Sequence, residues 1–351
     1  MFSEKSVAAE CQAVDGTTVT IAADCQSLSI TGDSPNVTID SGVTVNSTGI
    51  QAVMTGDSSN ASITNNGTIS ATTNRAFRTG GSDVNELINY GTITAGGNQG
   101  VRNAGTITTL RNVGTISVTG WGGIHNNTPG TITTLTNTGT ISAVKKQAIN
   151  NKGIITTLTN SGTISAGNES NDVDYGLNNA GTIGTLTNSG TISVTNRYAL
   201  NNSGTITTLE NSGTISSGSN FAIANTGSIG TFTNTGTLTP TGATAISNQG
   251  MITTFNNSQG KSGTNPVTFT KSLPINYNVI VNSTNDYGQI EFSSFTGENN
   301  TVLNFGVHSS STLAASTTYS AVIDNLTSSE IASGTSGSVV SGSSRLNWSL
   351  L

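Results

Sequence analysis

Charge is scarce in this chain. Asp, Glu, Lys and Arg make up 9% of its 351 residues, the net charge is −6, and the pI is near 4.8. That balance offers no basic surface for nucleic acid. Histidine occurs only at His125 and His308, far apart in sequence. From Gly91 to Gly250 the only carboxylates are Glu169, Asp172, Asp174 and Glu210. Enzymes that cleave polysaccharides need clustered acids in a groove, and acyl-transfer enzymes need a nucleophile beside a base. Asp172 and Asp174 are the one conceivable acid pair, and two residues at i and i+2 in a loop say little. The expectation is therefore no enzyme and no cofactor. Glu169, Asp172 and Asp174 together could offer oxygens to Ca²⁺, but the spaced ligands and glycine of a calcium loop are missing, so no metal is expected.

Long apolar runs are absent too, so no membrane-spanning helix is expected. Met1 to Glu10 lacks the apolar core of a signal peptide. The sequence is thus expected either to start after a cleaved leader or to use another export route. Cysteine occurs only at Cys11 and Cys25. Two cysteines this close in a Ser- and Thr-rich chain suggest an exported protein with one disulfide, and closing a loop of about 15 residues contributes about 3 kcal/mol.

What the chain does have is rhythm. The pattern Asn-x-Gly-Thr-Ile recurs at spacings that alternate between 9 and 14 residues, a unit of 23. A fixed period of this size marks a solenoid. Each unit holds short runs in which Ile, Leu or Val alternates with Thr or Ser, the signature of strands with one face buried. The expected fold is all-β, a right-handed parallel β-helix (β-solenoid) with about 23 residues per coil. Stacked coils would align Ile107, Ile132 and Ile155 in one column, Ile116, Ile141 and Ile164 in a second, Leu110, Leu135 and Leu158 in a third, and Val101, Ile124 and Ile149 in a fourth. Residues 1–60 are expected to form an N-terminal cap and irregular coils, residues 61–258 the regular repeats, and residues 259–351 larger coils and a cap. Hydrophobic residues make 33% and the 42 glycines add about 12%, enough for a thin core, so the Ser, Thr and Asn richness does not imply disorder.

Asparagine stands two residues before nearly every repeat glycine, Thr128 being the exception. Asn tolerates left-handed backbone and glycine accepts positive φ, which suits a corner between strands. Equivalent amides one coil apart, roughly 4.8 Å, can bond to each other. Asn112, Asn137, Asn160, Asn188, Asn211 and Asn234 are expected to form such a structural ladder.

The repeated Asn-Ser-Gly-Thr-Ile-Ser, at Asn160 to Ser165 and Asn211 to Ser216, resembles the β-helical passenger regions of bacterial autotransporters and haemagglutinin-like adhesins. So does Tyr277-Asn-Val-Ile-Val281 followed by Tyr287-Gly-Gln-Ile290. The resemblance implies export to the bacterial cell surface or beyond it, association with the outer membrane, and often adhesion. The family's translocator barrel is not among these residues, so the resemblance implies either a longer gene product beyond Leu351 or a departure from the family.

Two spacings depart from the rhythm. Gly114 to Gly130 is 16 and Gly162 to Gly181 is 19. Both extra segments are read as following the Thr-Ile-Ser strand, so that one solenoid corner carries Trp121 and His125, then Lys145 and Lys146, then Glu169, Asp172, Asp174 and Tyr175, and further on Arg197, Tyr198 and Phe221. Loops along one edge commonly make a solenoid's binding face. Aromatic rings beside polar groups suit a saccharide. The expected function is adhesion through this ridge to a host or environmental glycan or cell surface. The alternatives are a structural stalk or a self-associating surface rod. A Thr/Ser array such as Thr115 and Ser117 also raises ice binding, which the serines disfavour by removing methyl groups.

Overall fold

The computed structural model describes residues 9–11, 14–167, 174–242, 244–295, 302–333, 335–341 and 344–350 of the chain. It contains two compact units, Met1–Thr182 and Ile183–Leu351. Both are built from stacked parallel strands, and the chain is an all-β parallel β-solenoid of about 11 turns, roughly 23 residues apart. Among the described residues no helix is long and apolar enough to cross a membrane.

In the first unit each regular coil gives one strand to each of three sheets. One coil consists of Thr106–Asn112 on a long face, Thr115–Val118 on a short face and Gly122–Asn126 on a third face. The next coil repeats this with Thr131–Asn137, Thr140–Ala143 and Gln147–Asn151, and the pairing is parallel and in register. On the short face alternation is strict: Ile116 and Val118 point in, Thr115 and Ser117 out. On the long face it breaks once. Ile107 and Leu110 both face the core, and the pairing passes from Ile107 with Ile132 to Thr109 with Thr134. Two consecutive outward threonines let one bent strand bury residues three apart. The stacked Ile93, Ile116, Ile141 and Ile164 have no exposed surface. Burial of each such side chain contributes about 1.5–3 kcal/mol, and β-branched residues stack well at strand spacing.

The corners rest on asparagine and glycine, for a reason other than backbone handedness. None of Gly91, Gly114, Gly139 and Gly162 has a positive φ. They are needed because the coils approach closely there: a Cβ on Gly139 would run into the carbonyl oxygen of Gly114, and one on Gly162 into that of Gly139. The asparagines end strands with their amides buried. Asn65, Asn89, Asn112, Asn137 and Asn160 form one ladder, each Nδ2 donating to the next Oδ1 at 2.7–2.8 Å. Asn103, Asn126, Asn151 and Asn179 form a second at 2.8 Å. Asn126 belongs to this ladder although it stands four residues before Gly130, so the Thr128 exception does not interrupt it.

The N-terminal strands already enter the three sheets. Val14 pairs with Ile30 and Leu28 with Val53 on the third face, and Val19 with Val37 on the long face. A disulfide joins Cys11 to Cys25.

The second unit carries the same motif in Tyr198–Asn202, Thr205–Asn211 and Thr214–Ser217. Its ladders are Asn188, Asn211, Asn234 and Asn257, and Asn202, Asn225 and Asn248. The short face ends at Thr237–Pro240, while the other two continue through Val267–Lys271 and Asn276–Val279. Buried Gln259 closes the gap: its Oε1 accepts from Leu238 N–H at 2.7 Å and its Nε2 donates to Leu238 O at 3.1 Å. Rings replace the leucine column, with Phe232, Phe255, Tyr277 and Phe305 at successive centroid distances of 5.0, 6.0 and 6.0 Å. An antiparallel hairpin, Ser336–Ser341 with Ser344–Ser349, sets Trp348 edge-on against Phe305 at 5.5 Å.

Candidate functional site

The corner between the short and third faces holds Trp121, but not in an insertion. Residues 119–121 span that corner just as 96–98 and 144–146 do in the neighbouring coils. The extra residues of the 16-residue spacing lie instead at 127–129, between Asn126 and Gly130. Local sequence spacing between glycines could not tell the two corners apart. The longer segment of the 19-residue spacing does follow a Thr-Ile-Ser strand, since Thr163–Ala166 and Tyr175–Asn179 flank it. Glu169 and Asp172 lie outside the described residues.

Trp121 is 54% exposed, and the Lys146 Nζ sits 3.6 Å from its ring centre. At such a distance an ammonium over an indole contributes about 0.5–1 kcal/mol at an exposed site. Lys146 has a left-handed backbone, φ 62°. The strained corner is held from both sides. Its N–H donates to Asp174 Oδ1 at 2.9 Å, and its carbonyl accepts the N–H of Tyr175 at 2.8 Å. Asp174 is fully buried. Its carboxylate therefore positions Lys146 rather than standing on the ridge. Lys145 and Tyr175 are half-buried beside it. The corner thus brings Trp121, Lys146, Asp174 and Tyr175 together in the first unit.

The second unit repeats the device. Arg197 is left-handed, φ 82°, with its guanidinium carbon 5.3 Å from the Tyr198 ring centre. Tyr198 stacks on Phe221 at 5.6 Å with 20° between the planes. Arg197 donates its N–H to Ser219 Oγ at 3.0 Å.

His125 is on a strand rather than in a loop. On the third face the residue just before each ladder position points outward, and in the first unit this column runs Met54, Arg78, Arg102, His125, Asn150 and Asn178. Arg102 escapes a reading based on insertions. Its signal in the sequence is its place immediately before a ladder asparagine. With its amide turned so that the oxygen faces Arg102, Asn127 joins two members of the column: the oxygen then accepts from Arg102 Nε and Nη2, both at 2.8 Å, and the nitrogen donates to His125 Nε2 at 2.9 Å. Asn150 Nδ2 also faces His125 Nε2 at 3.4 Å, and Asn178 donates to Asn150 at 2.9 Å. An imidazole that accepts from two amides at Nε2 is neutral. Burial, then the charges of Lys152, Arg102 and Arg75, push the His125 pKa down to about 4.

This has a pH signature. Between the ordinary histidine value of 6.5 and about 4 the unfolded chain takes up a proton that the folded chain refuses. Stability is expected to be fully present above pH 6.5, to fall as pH drops through that window, and to level off below about 4. Urea unfolding of native protein and of His125→Asn across this range checks it. The variant should lose the part of the slope between pH 6.5 and 4, and an unchanged slope would refute the assignment.

Among the described residues, no three His, Cys, Asp or Glu side chains gather as metal ligands. Compared with protein-family models, with curated proteins and with solved structures, the chain matches none.

Proposed function

We propose that this solenoid is an adhesin: a secreted or bacterial surface-displayed, autotransporter passenger-like protein that holds a glycan or cell surface without catalysis and without a cofactor. The observation that carries this is the exposed Trp121 ring with the Lys146 ammonium over it and the Lys146 backbone held by buried Asp174. An isolated spacer has no use for a large exposed ring, nor for a buried carboxylate spent on orienting a surface lysine. A flat ring stacks on the C–H face of a sugar while neighbouring polar groups bond its hydroxyls. The Arg197, Tyr198 and Phe221 cluster of the second unit offers the same chemistry. Weak contacts in both units would add through multivalency. The disulfide suits an exported protein.

The test is binding of the purified chain to a glycan panel and to intact cells, alongside Trp121→Ala and Phe221→Ala. Loss of a stacking ring removes about 1–1.5 kcal/mol, so each variant should bind roughly tenfold more weakly per contact. Equal binding by native protein and both variants would remove the aromatic corners from the account. Should the native chain bind nothing, a spacer or self-associating role takes the adhesin's place.

A further inference from the structure

The third face of the first unit carries a run of positive charge, and no carboxylate is among the groups that act on Arg75 or Arg102. Arg75 lies on the strand Arg75–Thr79 and donates from Nε to Gln99 at 3.0 Å. Arg78 pairs in register with Arg102 of the next coil, so their side chains emerge about 4.8 Å apart on the same outward column. Arg102 is braced by Asn127. The Arg78 Nε is buried and meets no acceptor among the described residues. Charges on the three guanidiniums act on one another: after burial, the pKa of Arg75 is lowered by Arg102 and Arg78, and that of Arg102 by Arg78. Next in the column comes His125, which is held neutral, so the positive stretch ends there. In a chain of net charge −6, three arginines gathered against their own repulsion are a cost to folding unless an anion uses them.

We infer that Arg75, Arg78 and Arg102 form a binding site for an acidic polysaccharide, whose sulfate or carboxylate groups bridge guanidiniums on successive coils. Guanidinium forks match the paired oxygens of either anion, which an ammonium cannot do. Arginines one strand spacing apart present donors at a repeat comparable to the length of a pyranose ring, so consecutive sugars can each place an anion. The net negative charge of the chain opposes a uniformly charged nucleic-acid duplex, whereas a single polysaccharide strand can lie along the column alone. This site uses other residues than the Trp121 corner and does not depend on the adhesive role proposed for it.

The experiment is retention of the full chain on immobilised heparin, on chemically desulfated heparin, on a carboxylate-only polyuronate and on duplex DNA, at physiological salt. Native protein is expected to bind heparin, the polyuronate or both. Which of them it holds names the anion. Arg78→Gln/Arg102→Gln should bind roughly tenfold or more weakly, the loss expected for hydrogen bonds to charged groups. Arg111→Gln removes one charge from the long face and should bind as native does. Arg102→Lys keeps the charge without the fork and should recover only part of the affinity. The double variant should also melt at the native temperature or above, because repulsion is relieved. Native-like binding by Arg78→Gln/Arg102→Gln overturns the site. So does failure of the native chain to bind either acidic polymer, or equal retention on duplex DNA.

Discussion

Gly139→Ala is expected to destabilise the first unit severely. The corner glycine packs so closely under the coil before it that an added Cβ meets the carbonyl oxygens of Gly114 and Val113, both backbone atoms. Neither can rotate away as a side chain would. Relief requires separating two coils, which breaks the in-register pairing of Thr140 with Thr115 and the ladder bond from Asn112 to Asn137. The loss should be on the order of 3–5 kcal/mol, a large part of the 5–15 kcal/mol that typically holds a domain. Gly49→Ala is the control, because its nearest neighbour would be Ser47 Oγ at an ordinary 3.5 Å. That substitution should stay within about 0.5 kcal/mol of native. Urea unfolding followed by far-ultraviolet circular dichroism reads both. A Gly139→Ala chain within about 1 kcal/mol of native would mean that close coil approach does not select glycine at these corners.

Asn137 is the other position of large effect. Its Nδ2 serves Asn160 Oδ1 at 2.7 Å, Thr163 O at 3.1 Å and Gly139 O at 3.2 Å, while its Oδ1 accepts from Asn112. Alanine leaves several buried partners unmatched, at about 1–3 kcal/mol each, so Asn137→Ala should cost about 3–5 kcal/mol. Asn137→Asp should be worse than alanine, since it turns an oxygen towards three oxygens. Asn137→Thr should fall closest to native, because Thr79 already heads the second ladder by donating to Asn103 Oδ1 at 2.9 Å. Melting temperatures should therefore descend from native through Thr and Ala to Asp. A chain in which Asp is tolerated as well as Thr would refute the directional ladder.

These two positions also show where sequence is transparent. Ile107, Ile132 and Ile155 fall into a column because a repeat forces equivalent residues into equivalent places. Asn112 and Asn137 meet for the same reason. At the corners the sequence is less transparent. Both left-handed asparagine and positive-φ glycine are properties of single residues, whereas Gly139 is selected by the coil beneath it, which no local property reports. The candidate site is less legible still. Trp121 stands out by type, but a glycine spacing of 16 cannot say which corner holds the added residues, and they sit beyond Asn126. Asp174 is acidic and near a loop, and nothing in its neighbours reveals that it turns inward to hold Lys146. Arg102 is marked only by standing immediately before ladder Asn103, and it takes the alignment of the coils to set it beside Arg78.

The ladders have an electrical consequence. In the first unit the amides of both ladders donate from the earlier coil to the later one, so the side-chain dipoles add along each string as peptide dipoles add along a helix. Each string must then end in partial charge. At the head of the second, the hydroxyl of Thr79 meets the Asn103 oxygen and neutralises that end. The head of the first is the Asn65 Oδ1, which lies one coil beyond Ile39 and finds no donor among the described residues. One string is thus terminated and the other is left with its negative pole facing hydrocarbon, making the coil of Asn65 the natural place for the first unit to begin to open.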